Sequence, residues 1–438
     1  MNIILLCGGS GKRLWPLSNS VRSKQFLKIF RKNDDTKESM VQRMLRMIKA
    51  IDGDAVVTIA TSKNQIPQIE SQLGKSVWIS VEPSRKDTFP AIALAVSYLK
   101  QQGVPEQESV VICPVDPYVD EGYFRCLQQL ANEAAKPDAA NITLMGITPN
   151  SPSSKFGYII PATDQPVSKV KTFKEKPDRE LAIEYIQQGA LWNGGVFAFK
   201  ISYLLEISRR LLGTDDYYTL YSSYQDLKAI SFDYAVVEKE ESINVIRYDG
   251  LWNDLGTWNT LTTVMDDFVS GNASAYECDN TYVINELSIP LIALGMKDAI
   301  IAATPDGVLA CHRDLSDRLK DYVKDQKPMY ERRQWGEYKV LHFSTSEDGL
   351  KNLTRELSFE AGKQVVFNSH EERIEIWTVV NGSGIVFINN QSRRVAPGDT
   401  VVIEKKATHG INAITNLSLI EVQIGNDLGE DDTEIVLS

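Results

Sequence analysis

The apolar run Asn2–Cys7 ends abruptly on Gly8-Gly9-Ser10-Gly11, and no other stretch of the chain constrains the fold as much. A short run that is apolar without alternation is the pattern of a strand buried on both faces, and glycines directly after it permit a tight turn. The pattern then recurs. Apolar runs at Ala55–Ala60, Val77–Val81, Ser109–Pro114 and Ile142–Ile147 alternate with helical patterns at Met40–Ile51, Pro90–Gln101 and near Tyr123–Ala135. This alternation predicts an α/β fold, a Rossmann-like, mainly parallel sheet with helices on both faces. Ligands of such sheets lie beyond the carboxyl ends of the strands, so the turns after Cys7 and Pro114 are where a site is expected.

The helical rhythm stops near Asp266. Two apolar runs, Ile289–Leu294 and Ala299–Ala303, predict a small β connector over 266–330, after an α/β domain over 1–265. From Trp335 onward, short strands are punctuated by Asn381-Gly382, Asn389-Asn390 and Pro397-Gly398, which predicts an all-β barrel over 331–438. Three domains are reasonable for 438 residues.

The net charge of −11 argues against nucleic acid as the main partner. The basic residues are unevenly placed, however: seven lie between Lys12 and Lys32, and no acid precedes Asp34. A cationic stretch on an anionic protein points to a small anionic ligand held locally. No apolar run approaches the ~20 residues that span a bilayer. The N-terminus lacks the basic region of a signal peptide. Five scattered cysteines, without a CxxC pair, fit reduced thiols in a cytoplasmic protein.

In the turn itself, backbone N–H groups of Gly8, Gly9 and Gly11 can approach phosphate oxygens, and Arg13 can add a guanidinium fork. It is not a Walker A loop, because Arg13 follows Lys12 where Ser or Thr is required, and the third glycine of a dinucleotide fingerprint is missing. Taken alone, the turn reads equally well as a plain strand-to-helix connection.

The longer string GGSGKRLWPLSNSVRSKQFLKI resembles the signature of sugar-nucleotide pyrophosphorylases, in the form found in mannose-1-phosphate guanylyltransferases. Further elements follow in family order: Glu82-Pro83 with Thr88-Phe89-Pro90-Ala91, Val115-Asp116, Phe156-Gly157-Tyr158-Ile159, Phe173-Lys174-Glu175-Lys176-Pro177, Leu191-Trp192-Asn193-Gly194-Gly195, Ser231-Phe232-Asp233-Tyr234-Ala235 and Trp252-Asn253-Asp254-Leu255-Gly256. The resemblance covers residues 1–262. It implies transfer of a nucleoside monophosphate, GMP from GTP, to a sugar-1-phosphate, mannose-1-phosphate by default, with release of pyrophosphate.

By the same resemblance, Arg13 and Lys24 hold the triphosphate, and Asp116 and Asp254 hold Mg²⁺. Gly8, Gly9, Gly11, Glu82, Asp87 and Thr88 lie against the nucleotide. Gly157, Glu175, Lys176 and Asn193 bind the sugar phosphate. Each has an ordinary alternative, since most lysines are solvated and an Asp in a turn usually caps it. The chain departs from the family where Ser23 precedes Lys24, where Lys86-Asp87 replaces Arg-Asn, where Pro117 follows Asp116, and at Gly194 in place of serine.

Gly362-x5-Asn368-x-His370-x4-Glu375-x6-Gly382, with His409 later, resembles the cupin motifs of a fused phosphomannose isomerase domain. That implies a second divalent metal at Asn368, His370, Glu375 and His409, with Asn368 one methylene shorter than the family's glutamine. Glu371, Glu372 and Ile376 replace family histidines there, while Gln423 and the tail from Leu428 to Asp432 still match. Three readings follow: a cytoplasmic, homodimeric nucleotidyltransferase, with another base or a related sugar as its variant; a bifunctional enzyme that also interconverts mannose-6-phosphate and fructose-6-phosphate; and a non-catalytic paralogue that binds nucleotide sugars. Retention of Arg13, Lys24, Asp116 and Asp254 weighs against the third.

Overall fold

The computed structural model describes residues 1–9, 11–19, 22–32, 34–265, 267–323, 328–365, 367–389, 391–428 and 433–435. Ser10, Ser20, Val21, Asp266, Gln326, Asn390 and the tail residues Gly429–Asp432 lie outside them, as does the side chain of Lys12. The chain divides into two compact units. Met1–Ser10 and Ser23–Asp266 form the first; Gly11–Arg22 and Asp267–Ser438 form the second.

The first unit is built on a nine-stranded sheet. One half is parallel, in the order Trp78–Glu82, Val56–Ser62, Asn2–Leu6, Ser109–Pro114. Asn2–Leu6 is flanked on both edges, and Ile3, Ile4 and Leu5 are fully buried, which accounts for the unbroken apolar run. The other half is mixed. Leu191–Lys200 enters antiparallel between Ser109–Pro114 and Ile142–Ile147, and Gly157–Pro161 pairs antiparallel with Val167–Lys174. Ile243–Tyr248 returns parallel to Ile142–Ile147.

Helix Thr88–Gln101 is apolar around most of its circumference and is buried from Phe89 to Ser97. Asp87 caps it: the side chain accepts from Thr88 N–H while the backbone sits at φ 68 and ψ −174, a region that favours glycine and is costly for a residue with a side chain. Helix Glu121–Ala135 is capped by Asp120, which accepts from Tyr123 N–H and also from Tyr248 Oη and Leu251 N–H, the last two at 2.9 Å. That carboxylate ties the helix start to the segment leading into Asp254. Cys7, Cys113 and Cys126 are buried and unpaired, and burial pushes each thiol up to about 12, so they are inert at neutral pH.

In the second unit, the connector strands Val269–Gly271, Tyr282–Asn285 and Ala299–Thr304 stack in parallel, and Ala273–Tyr276 pairs in parallel with Leu291–Leu294. Gly11–Arg22 packs on this layer. Asn19 Nδ2 donates to Asp306 Oδ2 at 2.7 Å in a buried bond, Thr304 Oγ1 donates to Pro16 O at 3.0 Å, and Arg22 grips Glu286 in a two-pronged pair at 2.5 and 2.7 Å. The barrel follows as a six-stranded and a five-stranded sheet, with Trp377, Leu357, Phe359, Ile403 and Leu419 among its core residues. Among the described residues, no helix is long and apolar enough to cross a membrane.

Candidate active site

The first unit brings the two metal-type aspartates together through a short ribbon. Pro117–Val119 pairs antiparallel with Trp252–Asp254, in a register that sets Asp254 opposite Pro117, the residue after Asp116. Lys24, from the turn Lys24–Phe26, places Nζ 2.9 Å from Asp116 Oδ2 and 3.6 Å from Asp254 Oδ1. Both carboxylates are about 40% exposed at the side chain, so they face an open cleft and not the core.

The same cleft, a cavity of about 230 Å³, is lined by Glu175, Lys176, Asn193, Gly157 and Asp233 as well as by Asp116 and Asp254. Glu175 is 7% exposed; its Oε1 pairs with Lys176 Nζ at 2.9 Å, and among the described residues its Oε2 is buried without a hydrogen-bond partner. A buried carboxylate oxygen left in this state is poised to accept a hydroxyl hydrogen. Lys176 sits at φ 44, immediately before Pro177, a costly conformation for a long side chain and one that clusters at functional sites. Gly157 leaves no room for a side chain, since a Cβ there would come 2.5 Å from Glu175 Oε2. Gly194 is similarly close to Ile147 Cδ1, so the family's serine would press on that methyl group.

Two cavity residues carried no separate expectation from the sequence. Asp233 accepts from Asn193 Nδ2 at 2.6 Å and so orients that amide. Burial and the neighbouring charge of Glu175 push its carboxyl up to about 6. Because the folded-state value exceeds the ordinary 3.8, the group's stabilising contribution is present below about pH 4 and is lost as pH rises through 6. Asp233→Asn is therefore expected to raise stability by about 1–2 kcal/mol at pH 8, discounted for partial exposure, and to change little at pH 4. Thermal melts at the two pH values check this; a variant less stable at pH 8 would contradict it. Trp252, whose indole Nε1 is buried without a hydrogen-bond partner among the described residues, also lines the cavity and packs on Phe156 at 5.4 Å. Trp258 is fully buried and Trp192 nearly so, in keeping with core packing.

A second cavity, of about 240 Å³, lies where the parallel strands end and is lined by Gly8, Gly9, Glu82, Arg85, Asp87 and Thr88. No described residue stands within 4 Å of where a Cβ of Gly8 or Gly9 would be, so among these residues their backbone borders open space. Burial raises the Glu82 carboxyl above the usual range, and a 2.9 Å hydrogen bond from Tyr224 Oη opposes that rise. Asp87 and Thr88 have local duties: the first caps its helix, and Thr88 Oγ1 accepts from Phe232 N–H at 2.8 Å. Gly11, at φ 60, and the exposed Arg13 belong to the second unit.

In the barrel, His370, Glu375 and His409 are buried, with one donor atom of each within 4.8 Å of the others. Asn368 pairs across strands with His409, and among the described residues its Oδ1 is buried without a hydrogen-bond partner. His370 Nε2 lies 3.1 Å from Glu375 Oε1, and His409 Nε2 lies 3.4 Å from Oε2. Burial alone would raise Glu375, but the two imidazoles hold it well below the usual carboxylate range. Arg373 Nε, Gln423 Nε2 and Trp377 Nε1 also donate to it, at 3.2, 2.9 and 3.1 Å. Glu371 and Glu372 are exposed and pair with Lys406 and Lys405, and Ile376 alternates to the opposite side of the strand from Glu375. The changes at Glu371, Glu372 and Ile376 thus leave His370, Glu375 and His409 clustered, and the one departure within the expected donor set is Asn368.

A fold and site of this kind define a nucleotidyltransferase. The family model for nucleotidyl transferases matches residues 2–270, more than half of the chain, and the chain belongs to that family of enzymes. The model for the mannose-6-phosphate isomerase C-terminal region matches residues 321–436. Among curated relatives, the xanthan biosynthesis protein XanB of Xanthomonas campestris pv. campestris is 29% identical, over 98% of this chain and 96% of its own. The alginate biosynthesis protein AlgA of Pseudomonas aeruginosa is 29% identical over 98% and 95%, and a mannose-1-phosphate guanylyltransferase of Escherichia coli 28% over 98% and 97%. A solved structure described as a mannose-1-phosphate geranyltransferase from Thermus thermophilus superposes with a TM-score of 0.61, at 26% identity, over 74% of this chain and 98% of that one.

Proposed function

We propose that the chain transfers GMP from GTP to mannose-1-phosphate, releasing pyrophosphate and forming GDP-mannose. The observation that carries this reading is the convergence of Lys24, Asp116 and Asp254 in the cleft that also holds Glu175, Lys176 and Asn193. The names of the relatives support the choice of sugar and base.

In this reaction a sugar-phosphate oxygen attacks the α-phosphorus of the triphosphate, so two polyanions must meet in line. The attacking group is already anionic and needs no general base. Glu175 Oε2 accepts a sugar hydroxyl hydrogen, Asn193 is held by Asp233 to bind the sugar, and Lys176 reaches the sugar phosphate from its strained turn. The open backbone of Gly8 and Gly9 receives the triphosphate, and Lys24 offsets charge on the departing pyrophosphate; for Arg13, in the second unit, the same role rests on the family resemblance alone. Two carboxylate oxygens that converge on one ammonium also suit a hard divalent cation, so Asp116 and Asp254 would hold Mg²⁺. When bound, that ion supplies screening between the phosphates. Cytoplasmic location and a homodimer belong to the same proposal.

A matrix of nucleoside triphosphates against sugar-1-phosphates, scored by pyrophosphate release, tests it. GTP with mannose-1-phosphate should be the fastest pair; no release from any pair would end the reading, and a faster pair would replace the base or sugar.

The clustered donors of the barrel favour a second activity alongside the first. His370, Glu375 and His409, with Asn368 nearby, are a chemically suitable set for a divalent metal, which would polarise a sugar carbonyl. Metal analysis of the purified chain, together with conversion of fructose-6-phosphate, tests this; metal-free protein without turnover under any added divalent ion would dispose of it.

A further inference from the structure

We propose that Tyr224 is a positioning residue for base selection: its hydroxyl fixes Glu82 so that the carboxylate receives the paired N–H donors of a guanine edge. The inference rests on the guanylyl-transfer reading and states how that base is chosen.

Glu82 is the last residue of strand Trp78–Glu82, so it stands at the carboxyl edge of the sheet, beside the same cavity as Gly8 and Gly9. Tyr224 comes from a distant part of the chain. It is fully buried, packs with Leu94 and Leu220, and donates to Glu82 Oε2 at 2.9 Å. A ring locked by packing holds a carboxylate at little further cost in side-chain freedom.

The surrounding backbone makes this a fixed frame. Ile230 N–H donates to Lys86 O at 3.1 Å, Phe89 N–H donates to Ile230 O at 3.1 Å, and Phe232 N–H donates to Thr88 Oγ1 at 2.8 Å. Lys86 Nζ donates to Gln225 O, next to Tyr224. The segment carrying Tyr224 and the segment carrying Glu82 are therefore fastened together at several points.

Among the described residues, Glu82 Oε1 has no hydrogen-bond partner of its own, while Oε2 is held by the phenol. An ionised carboxylate only accepts. Guanine presents N1–H and the N2 amino group side by side, whereas adenine presents one amino group next to a bare ring nitrogen that a carboxylate repels. A site built to accept two donors rejects a base that lacks one of them, because a buried acceptor is then left unpaired. Asp87, the new carboxylate beside this pocket, is engaged in capping its helix, which leaves Glu82 as the oriented acceptor.

The test compares the full-length wild type with Tyr224→Phe. GTP and ATP are titrated into each by calorimetry without sugar phosphate, and pyrophosphate release is then followed with mannose-1-phosphate. Tyr224→Phe should weaken GTP binding by about tenfold and leave ATP binding unchanged, as expected for one hydrogen bond to a charged group. KM for GTP should rise by the same factor, with a much smaller effect on kcat at saturation. An unaltered GTP-to-ATP ratio, or equal weakening of both, overturns the proposal.

If Tyr224→Phe does not fold, Glu82→Gln replaces one acceptor oxygen by an N–H while keeping shape, and it should lose the preference for GTP; a retained preference overturns the proposal. Wild type that turns over triphosphates without favouring guanine also overturns it. Wild type that releases no pyrophosphate from any pair defeats the underlying transfer reading, and the calorimetric ratio still decides the role of Tyr224.

Discussion

Asp254→Asn is expected to lower kcat by at least about a thousandfold while leaving the fold intact, the scale of losing a preorganised electrostatic element. The side chain is 44% exposed, and it is approached by Lys24 at 3.6 Å. The ribbon that carries it is held by backbone pairing to Pro117–Val119, which an isosteric amide does not disturb. On the proposed reading, what disappears is one of two negative charges that would hold a cation against two phosphates. Pyrophosphate release at saturating substrates and a thermal melt, run together, give the answer. A near-normal rate would mean that Asp254 does not serve the chemistry, and a collapsed melt would mean that the residue supports the ribbon instead.

The second large effect concerns the barrel. Replacing Arg355 with alanine should cost about 3–5 kcal/mol, because it strands a buried carboxylate. Arg355 lies directly across from Glu421 in the strand register and pairs with it. Glu421 is 2% exposed, and burial raises its carboxyl, an effect that Arg355 opposes and the nearby charge of Glu375 reinforces. Trp377 Nε1 and Gln423 Nε2 donate to Glu421 at 3.3 and 3.1 Å, but neither carries a compensating charge. Chemical denaturation should show the deficit at neutral pH. It should shrink as pH falls, since a protonated Glu421 no longer needs a cation. The double variant Arg355→Met with Glu421→Leu should recover part of the loss; a single variant within about 1 kcal/mol of wild type would show that the pair is not needed.

Much of this site was legible because its chemistry sits on contiguous strings. Gly8-Gly9 lies just past the first strand and Asp116 two residues past Pro114, so strand order pointed to those turns, whereas Asp116, Glu175 and Lys176 were nominated as residues by the family resemblance of their strings. Sheet order did not follow from periodicity. The alternation of strands and helices foretold the parallel half, but not the antiparallel entry of Leu191–Lys200, because pairing direction depends on contacts distant in sequence. Asp233 and Trp252 lay inside recognised strings, yet nothing in those strings said which side chains would face the cleft. Tyr224 gave no signal, since a tyrosine in an irregular stretch looks the same whether it packs a core or holds a carboxylate. Asp87, notable for its place beside the expected base pocket, caps its helix, a duty that the family's asparagine would serve equally well, so the structure gives no reason for the change. In the barrel, period-two alternation alone separates Ile376 from Glu375, although their closeness in sequence suggested shared surroundings.

The stretch Gly11–Arg22 has a practical bearing on engineering. Trp15 lies under Gly307, Asn19 is bonded to Asp306 and Arg22 to Glu286. A chimaera that grafts a foreign C-terminal half onto residues 1–265 would import a new landing place for a segment still shaped for the old one. Swapping the two stretches as a matched set, 11–22 along with everything after 267, is the design that preserves the fit.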